Sequence, residues 1–211
     1  MVVAPSGERS FVADRGAADR LSPDDLREEW FSDARIVHLP VYSLLGEPLG
    51  LAGRRAIALG RGAGAAVSID LASIGPLLAG GRRAARALIA DLAPDLLFAT
   101  AAEADAFLGG GPKDDLLDYA TVAVVKRGAK GATVLARVHG ERTRFEVTTT
   151  RLAASDTTGA GDAFDAGFIV GWLAARAAGQ PPATALHRAA LAGHRAAARH
   201  LSTTRPEIAF R

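Results

Sequence analysis

Short apolar runs of strand length alternate along this chain with stretches of helical length, and that alternation constrains the fold more than any other feature. RIVHL at 35–39, AAVSID at 65–70, LLFAT at 96–100 and TVAVVKRG at 121–128 are bounded by turn residues and read as strands. Residues 51–59, 82–92 and 101–109 lie between them and read as helices. This pattern predicts an α/β sheet covered by helices on both faces, with chemistry in the loops beyond the carboxyl ends of the strands.

The rest of the chain adds to that frame. GATVLARV and RTRFEVTT predict two antiparallel strands joined through His139 and Gly140. Long alanine-rich helices follow at 160–178 and 182–200, separated by Gly179, Pro181 and Pro182. Residues 9–13 predict a strand, and Ser22 is placed to cap a helix opening near Pro23. GRGAG at 60–64 precedes a strand, so it reads as the turn that ends the helix over 51–59.

With 49% hydrophobic residues in a length of 211, the chain can bury one substantial core. It has no cysteine, which excludes disulfides, thiolate catalysis and cysteine-ligated metal centres. A formal charge of +2 gives no basic field for nucleic acid, and the pairs Arg54–Arg55 and Arg82–Arg83 read as solvated helix faces. The five histidines are scattered, form no HExxH pattern and read as structural or surface residues. No apolar run is long enough to cross a bilayer, and Pro5, Glu8 and Arg9 interrupt the opening segment too early for a secretory signal. The expectation is a cytoplasmic protein with neither membrane nor nucleic-acid partners.

Chemistry concentrates in SDTTGAGDAFDAGF, residues 155–168, directly before a long helical run. Gly159 and Gly161 permit close backbone approach, Ala160 adds little bulk, and the free amides of a helix start attract negative charge. Thr157 or Thr158 is available as the cap. Asp162 beside such a cradle can accept the proton of an attacking hydroxyl, with Asp165, three residues on, as its competitor. Asp156 reads as an organiser of the loop. On local chemistry alone, a glycine-bearing helix start with an acidic first turn explains the segment equally well; the α/β setting favours a ligand site. The segment lacks both a GK[ST] ending and a strand-linked GxGxxG.

Two further segments could face the same ligand. In VVKRGAKGA, residues 124–132, Lys126, Gly128 and Gly131 stand at a strand end, where a nucleotide contact competes with a plain hairpin; Lys130 is the weaker contact. In LLFATAAEADAFLG, Glu103 follows a strand end and could orient water around magnesium, or simply face solvent. Asp70 ends its strand and reads equally as a turn-bonding residue.

Taken together, these segments resemble the ribokinase-like carbohydrate kinases, also described by the PfkB name. DTTGAGDAF at 156–164 resembles the family's carboxyl-side signature, with turn, acid and aromatic in register. VVKRGAKGA resembles a nucleotide-site segment, and LLFATAAEADAFLG the region that carries an asparagine and a magnesium-organising acid, with Thr100 here in the asparagine position. RSFVADRGAADRLSPDDL and AAVSIDLAS extend the likeness over most of the chain.

The resemblance implies a ribokinase-like three-layer α/β sandwich over residues 1–211 that retains the nucleotide-binding part and is incomplete at its amino-terminal side. It implies ATP and Mg²⁺ as cofactors, a sugar or nucleoside hydroxyl as acceptor, and K⁺ or a similar ion at the loop holding Asp156. Gly159, Ala160 and Gly161 would then hold phosphate, Asp162 would be the base and Glu103 would organise Mg²⁺. The family's early acidic substrate contact, GG segment and much of its lid are expected to be missing. That leaves room for self-association or a complementary chain, and for a nucleotide-binding pseudokinase or regulatory domain as the alternative function.

Overall fold

Side chains alternate across a strand, so a strand covered on both faces must be apolar at nearly every position. Four such strands form the centre of this protein, whose computed structural model describes residues 2–3, 9–10, 15–150 and 157–203. The main sheet contains β3 (Ile36–Pro40), β4 (Ala66–Asp70), β5 (Leu96–Thr100), β6 (Val122–Lys126), β7 (Ala132–Val138) and β8 (Glu141–Val147), in that spatial order. The first four strands run parallel, and β7 and β8 return antiparallel. A separate antiparallel ribbon pairs β1 (Val2–Val3) with β2 (Arg9–Ser10).

Parallel neighbours require crossovers, which α1 (Leu49–Gly62), α2 (Ile74–Leu78), α3 (Arg82–Leu92) and α4 (Ala101–Leu108) supply on one face. Val37, Val67, Ile69, Leu97 and Val125 of the sheet pack there against Ile57, Ile89 and Phe107. On the opposite face, Leu96, Phe98, Val124 and Val134 pack against Phe164, Phe168 and Trp172 of α5 (Ala160–Ala177) and Leu186 of α6 (Pro182–Ser202). These three layers are the sandwich expected from the alternating pattern.

Three sequence expectations change. Gly60 lies inside α1, which runs on to Gly62, so of the glycines expected to mark its end Gly62 closes the helix and Gly64 follows it. A Cβ on Gly60 would stand 2.3 Å from Val37 Cγ2, so this glycine lets the helix close on β3. Near Pro23 there is only a 3-10 turn, Pro23–Asp25: the Ser22 amide and hydroxyl both donate to Asp25 Oδ2, at 2.8 and 2.9 Å, closing the turn on itself. Of the strand expected over 9–13, Arg9–Ser10 is a strand and the remainder lies outside the described residues.

Candidate active site

The carboxyl ends of β4, β5 and β6 meet the amino-terminal turn of α5 at one edge of the sheet. Gly159 brings the chain into α5 with φ +79 and ψ 0, a left-handed conformation that a side chain disfavours. The Ala160 amide donates to the Thr157 carbonyl at 3.2 Å, and the Ala163 amide to the Gly159 carbonyl at 2.9 Å. The amides of Gly161 and Asp162 have no acceptor among the described residues. The N-cap position falls to Gly159, in a left-handed turn, where the sequence suggested Thr157 or Thr158.

A cleft of about 840 Å³ opens against this turn, within the usual size of a small-molecule site. Thr100 and Ala101 form one wall, Lys126 to Gly131 a second, and Ala160, Gly161 and Phe164 the start of α5. His194, Ala197 and Leu201 of α6 close the apolar end. Two histidines secure that end: His194 Nε2 lies 3.2 Å from the Val147 carbonyl, and His200 Nε2 lies 2.7 Å from the Thr158 carbonyl. Burial lowers the pKa of His194, against the bond to Val147.

The sequence candidates fall into distinct settings. Gly161 lines the cleft with ordinary room beside it, since a Cβ there would meet only Lys126 Nζ, at 3.6 Å. Gly131 also lines the cleft but has a packing reason of its own: at φ +89, its Cβ would stand 2.1 Å from the Val147 carbonyl oxygen. Gly128 completes the same wall. Glu103 Oε2 accepts the Thr100 amide at 2.7 Å, while the Glu103 amide donates to Thr100 Oγ1 at 3.2 Å, a reciprocal cap for α4. Asp156 lies outside the described residues.

The two acids that compete on α5 separate clearly. Asp162 is exposed, lies outside the cleft lining, and its charge acts on His38 in the middle of β3. Asp165 is 1% exposed and accepts a hydrogen bond from Lys126 Nζ at 2.8 Å. The same ammonium donates to Asp70 Oδ2 at 2.9 Å, so strands β4 and β6 and helix α5 meet at one ion triad. Burial pushes the Asp165 carboxyl well above the usual aspartate range; Lys126 opposes that shift and Asp70 reinforces it. Burial also works against the Lys126 charge, but Asp165 and Asp70 outweigh it and raise the Lys126 pKa.

Sequence reasoning left Asp70 as a turn residue and passed over His38. His38 Nδ1 lies 2.9 Å from Ser68 Oγ, and its ring meets Phe98 edge-on at 6.1 Å. Burial lowers its pKa, Asp70 raises it, Lys126 lowers it and Asp162 raises it. Asp70 and Lys126 each end a largely apolar strand, which marks them as unusual in the sequence without showing that they pair.

The sequence matches the model of the pfkB family carbohydrate kinases over residues 1–208. The chain belongs to this family. No curated protein matches it. Adenosine kinase from Sinorhizobium meliloti shares its fold at 24% identity and TM-score 0.71, over 89% of this chain and 56% of that one. Aminoimidazole riboside kinase from Salmonella enterica matches at 20% identity and TM-score 0.72, over 92% and 65%. Fructokinase from Vibrio cholerae O395, solved with fructose, ADP and calcium ion bound, matches at 21% identity and TM-score 0.69, over 87% and 59%. This pfkB-family chain therefore spans from just over half to just under two thirds of the length of these structures. Among the described residues, no helix is long and apolar enough to cross a membrane.

Proposed function

We propose that this chain transfers the terminal phosphoryl group of ATP to a hydroxyl of a sugar or related small molecule, with Asp162 as general base. One observation carries the reading: the Gly161 and Asp162 amides, without an acceptor among the described residues, stand between a cleft on one flank of α5 and an exposed carboxylate outside that cleft. Donor and acceptor can thus approach the helix terminus from different sides, as in-line displacement requires. Family membership supports this assignment, as do the nucleotides named with structures of the same fold: ADP with the Vibrio fructokinase, and ATP with Mg²⁺ in the E. coli structure provisionally named ribokinase II.

In this mechanism the apolar end of the cleft, at His194, Ala197 and Leu201, takes the base of the nucleotide, and the wall from Lys126 to Gly131 flanks its phosphates. Gly159, Ala160 and Gly161 form the turn that presents amides to the terminal phosphoryl group, whose charge they stabilise as it moves. Asp162 takes the proton of the acceptor hydroxyl while its oxygen attacks phosphorus; the bond to the bridging oxygen breaks and ADP leaves with the electron pair.

The described residues gather no cluster of three metal ligands. Mg²⁺ is commonly held by substrate phosphates, waters and one or two carboxylates. Glu103, in the first turn of α4 beside the cleft wall at Thr100–Ala102, would act through water; when bound, the ion neutralises charge on the phosphates. Asp156 is assigned to a loop for K⁺ or a similar ion. In this account the chain supplies the nucleotide-binding part of a pfkB domain and works in the cytoplasm, alone or with a second or complementary chain.

A product assay tests the reading, using the purified chain with ATP, Mg²⁺, K⁺ and a panel of sugars and nucleosides. Asp162→Asn should lower turnover by about 10²- to 10⁴-fold, the usual worth of a general base, with ATP affinity and thermal unfolding unchanged. Turnover at the unmodified rate would remove Asp162 from the base role. ATP binding without product across the panel would favour a nucleotide-binding pseudokinase or regulatory domain.

A further inference from the structure

An ammonium group has three N–H donors. Lys126 Nζ gives one to Asp70 Oδ2 and one to Asp165 Oδ2, and no third acceptor for it lies among the described residues. It sits over the Phe98 ring, 5.9 Å from the centroid, with 11% of the Lys126 side chain exposed. Lys126 lines the cleft, and the missing side chain of Gly161 leaves Nζ open toward the first turn of α5. Two buried acids therefore tether one lysine so that its remaining donor faces the amides assigned to phosphate.

A lysine on a flexible stem is ordinarily a mobile point charge. Here both anchors are nearly inaccessible, at 5% exposure for Asp70 and 1% for Asp165. The second oxygen of each anchor, Oδ1, is buried with no donor group bonded to it among the described residues, and the two carboxyls lie close enough to act on one another. Burying an unpaired polar atom costs stability, and this arrangement does so twice. A scaffold that only had to hold β4, β6 and α5 together would do so more cheaply with apolar side chains.

Resting on the reading of the cleft as a phosphate-donor site, we infer that Lys126 donates its third N–H to the transferring phosphoryl group, and that Asp70 and Asp165 are the positioning residues that hold it there. Two carboxyls against one ammonium would leave a net negative charge beneath a phosphate site. Burial raises the Asp165 pKa, the direction that lessens this charge. Its burial and its bond to Lys126 set Asp165 apart from Asp162 as a base.

Calorimetric titration of the full chain with ATP·Mg²⁺ and, separately, with adenosine tests this inference. The variant Asp70→Asn/Lys126→Met/Asp165→Asn strands no buried charge. It should bind adenosine as the unmodified chain does and ATP·Mg²⁺ about tenfold more weakly or worse, the worth of one charge-assisted hydrogen bond. Asp165→Leu, which cuts one tether, should show the same selective loss. Asp165→Asn keeps an acceptor oxygen and should stay within about threefold of the unmodified affinity. Thermal melts by circular dichroism confirm that each variant is folded. Unmodified ATP·Mg²⁺ affinity in both the triple variant and Asp165→Leu would overturn the inference and leave the donor-site reading intact. Failure of the unmodified chain to bind ATP·Mg²⁺ would overturn both.

Discussion

Gly131 and Gly161 read alike in the sequence, as small residues near a ligand, yet their surroundings differ. Alanine at Gly131 would put Cβ into the Val147 carbonyl while holding a positive φ, so Gly131→Ala should destabilise the protein by about 1–3 kcal/mol. Alanine at Gly161 meets nothing closer than Lys126 Nζ at 3.6 Å and sits in a helical first turn. Gly161→Ala should therefore keep or slightly raise stability and weaken ATP binding by crowding the phosphate approach. Urea unfolding and calorimetry on the two variants separate the roles; equal ATP affinity in Gly161→Ala and the unmodified chain would contradict a tight cradle. The choice between Asp162 and Asp165 was not legible, because a spacing of three places both on one helix and leaves open which is rotated into the sheet. Their burial separates them, and that supports the choice of Asp162 proposed above. Asp70 was equally opaque: its partner Lys126 is 56 residues away in sequence and two strands away in the sheet.

Helices and strands were legible where apolar periodicity was strong, as in β3 to β6, the β7–β8 hairpin, α3, α5 and α6. Glycines that serve helix packing were not. Gly60 was read as a stop, yet it lies inside α1 where an added Cβ would run into Val37 of β3. The same logic governs the α5–α6 pair, where a Cβ on Gly167 would stand 2.6 Å from Ala196 Cβ and one on Gly171 would stand 2.8 Å from Ala192 Cβ. Small residues on both helices let α6 pack closely on α5, and α6 supplies His194 and Leu201 to the cleft. Gly167→Val should cost about 1–3 kcal/mol by overpacking this interface. Gly62→Ala, with nothing within 4 Å of the added Cβ, should be neutral or stabilising. Urea midpoints measure both, and an unchanged midpoint for Gly167→Val would show that the helices can separate without loss.

At the scale of the whole molecule, alternation of strand and helix pointed to the carboxyl edge of the sheet, where the candidate cleft opens. Alternation could not show that the ends of β4 and β6 and the start of α5 are joined there by a buried triad, nor that Asp162 lies outside the cleft. Those features depend on register and helix rotation, which follow from packing across all three layers. The central claim is that the ends of β5 and β6, the first turn of α5 and the last turns of α6 form one nucleotide site. Amide hydrogen exchange with and without ATP·Mg²⁺ tests it most directly, because it reads every segment at once. The account predicts slowed exchange at residues 126–131, 157–164 and 194–201, with the tip of the β7–β8 hairpin at 138–141 unchanged. Saturating ATP·Mg²⁺ that leaves 157–164 unprotected, or protects only segments away from the carboxyl edge of the sheet, would contradict it.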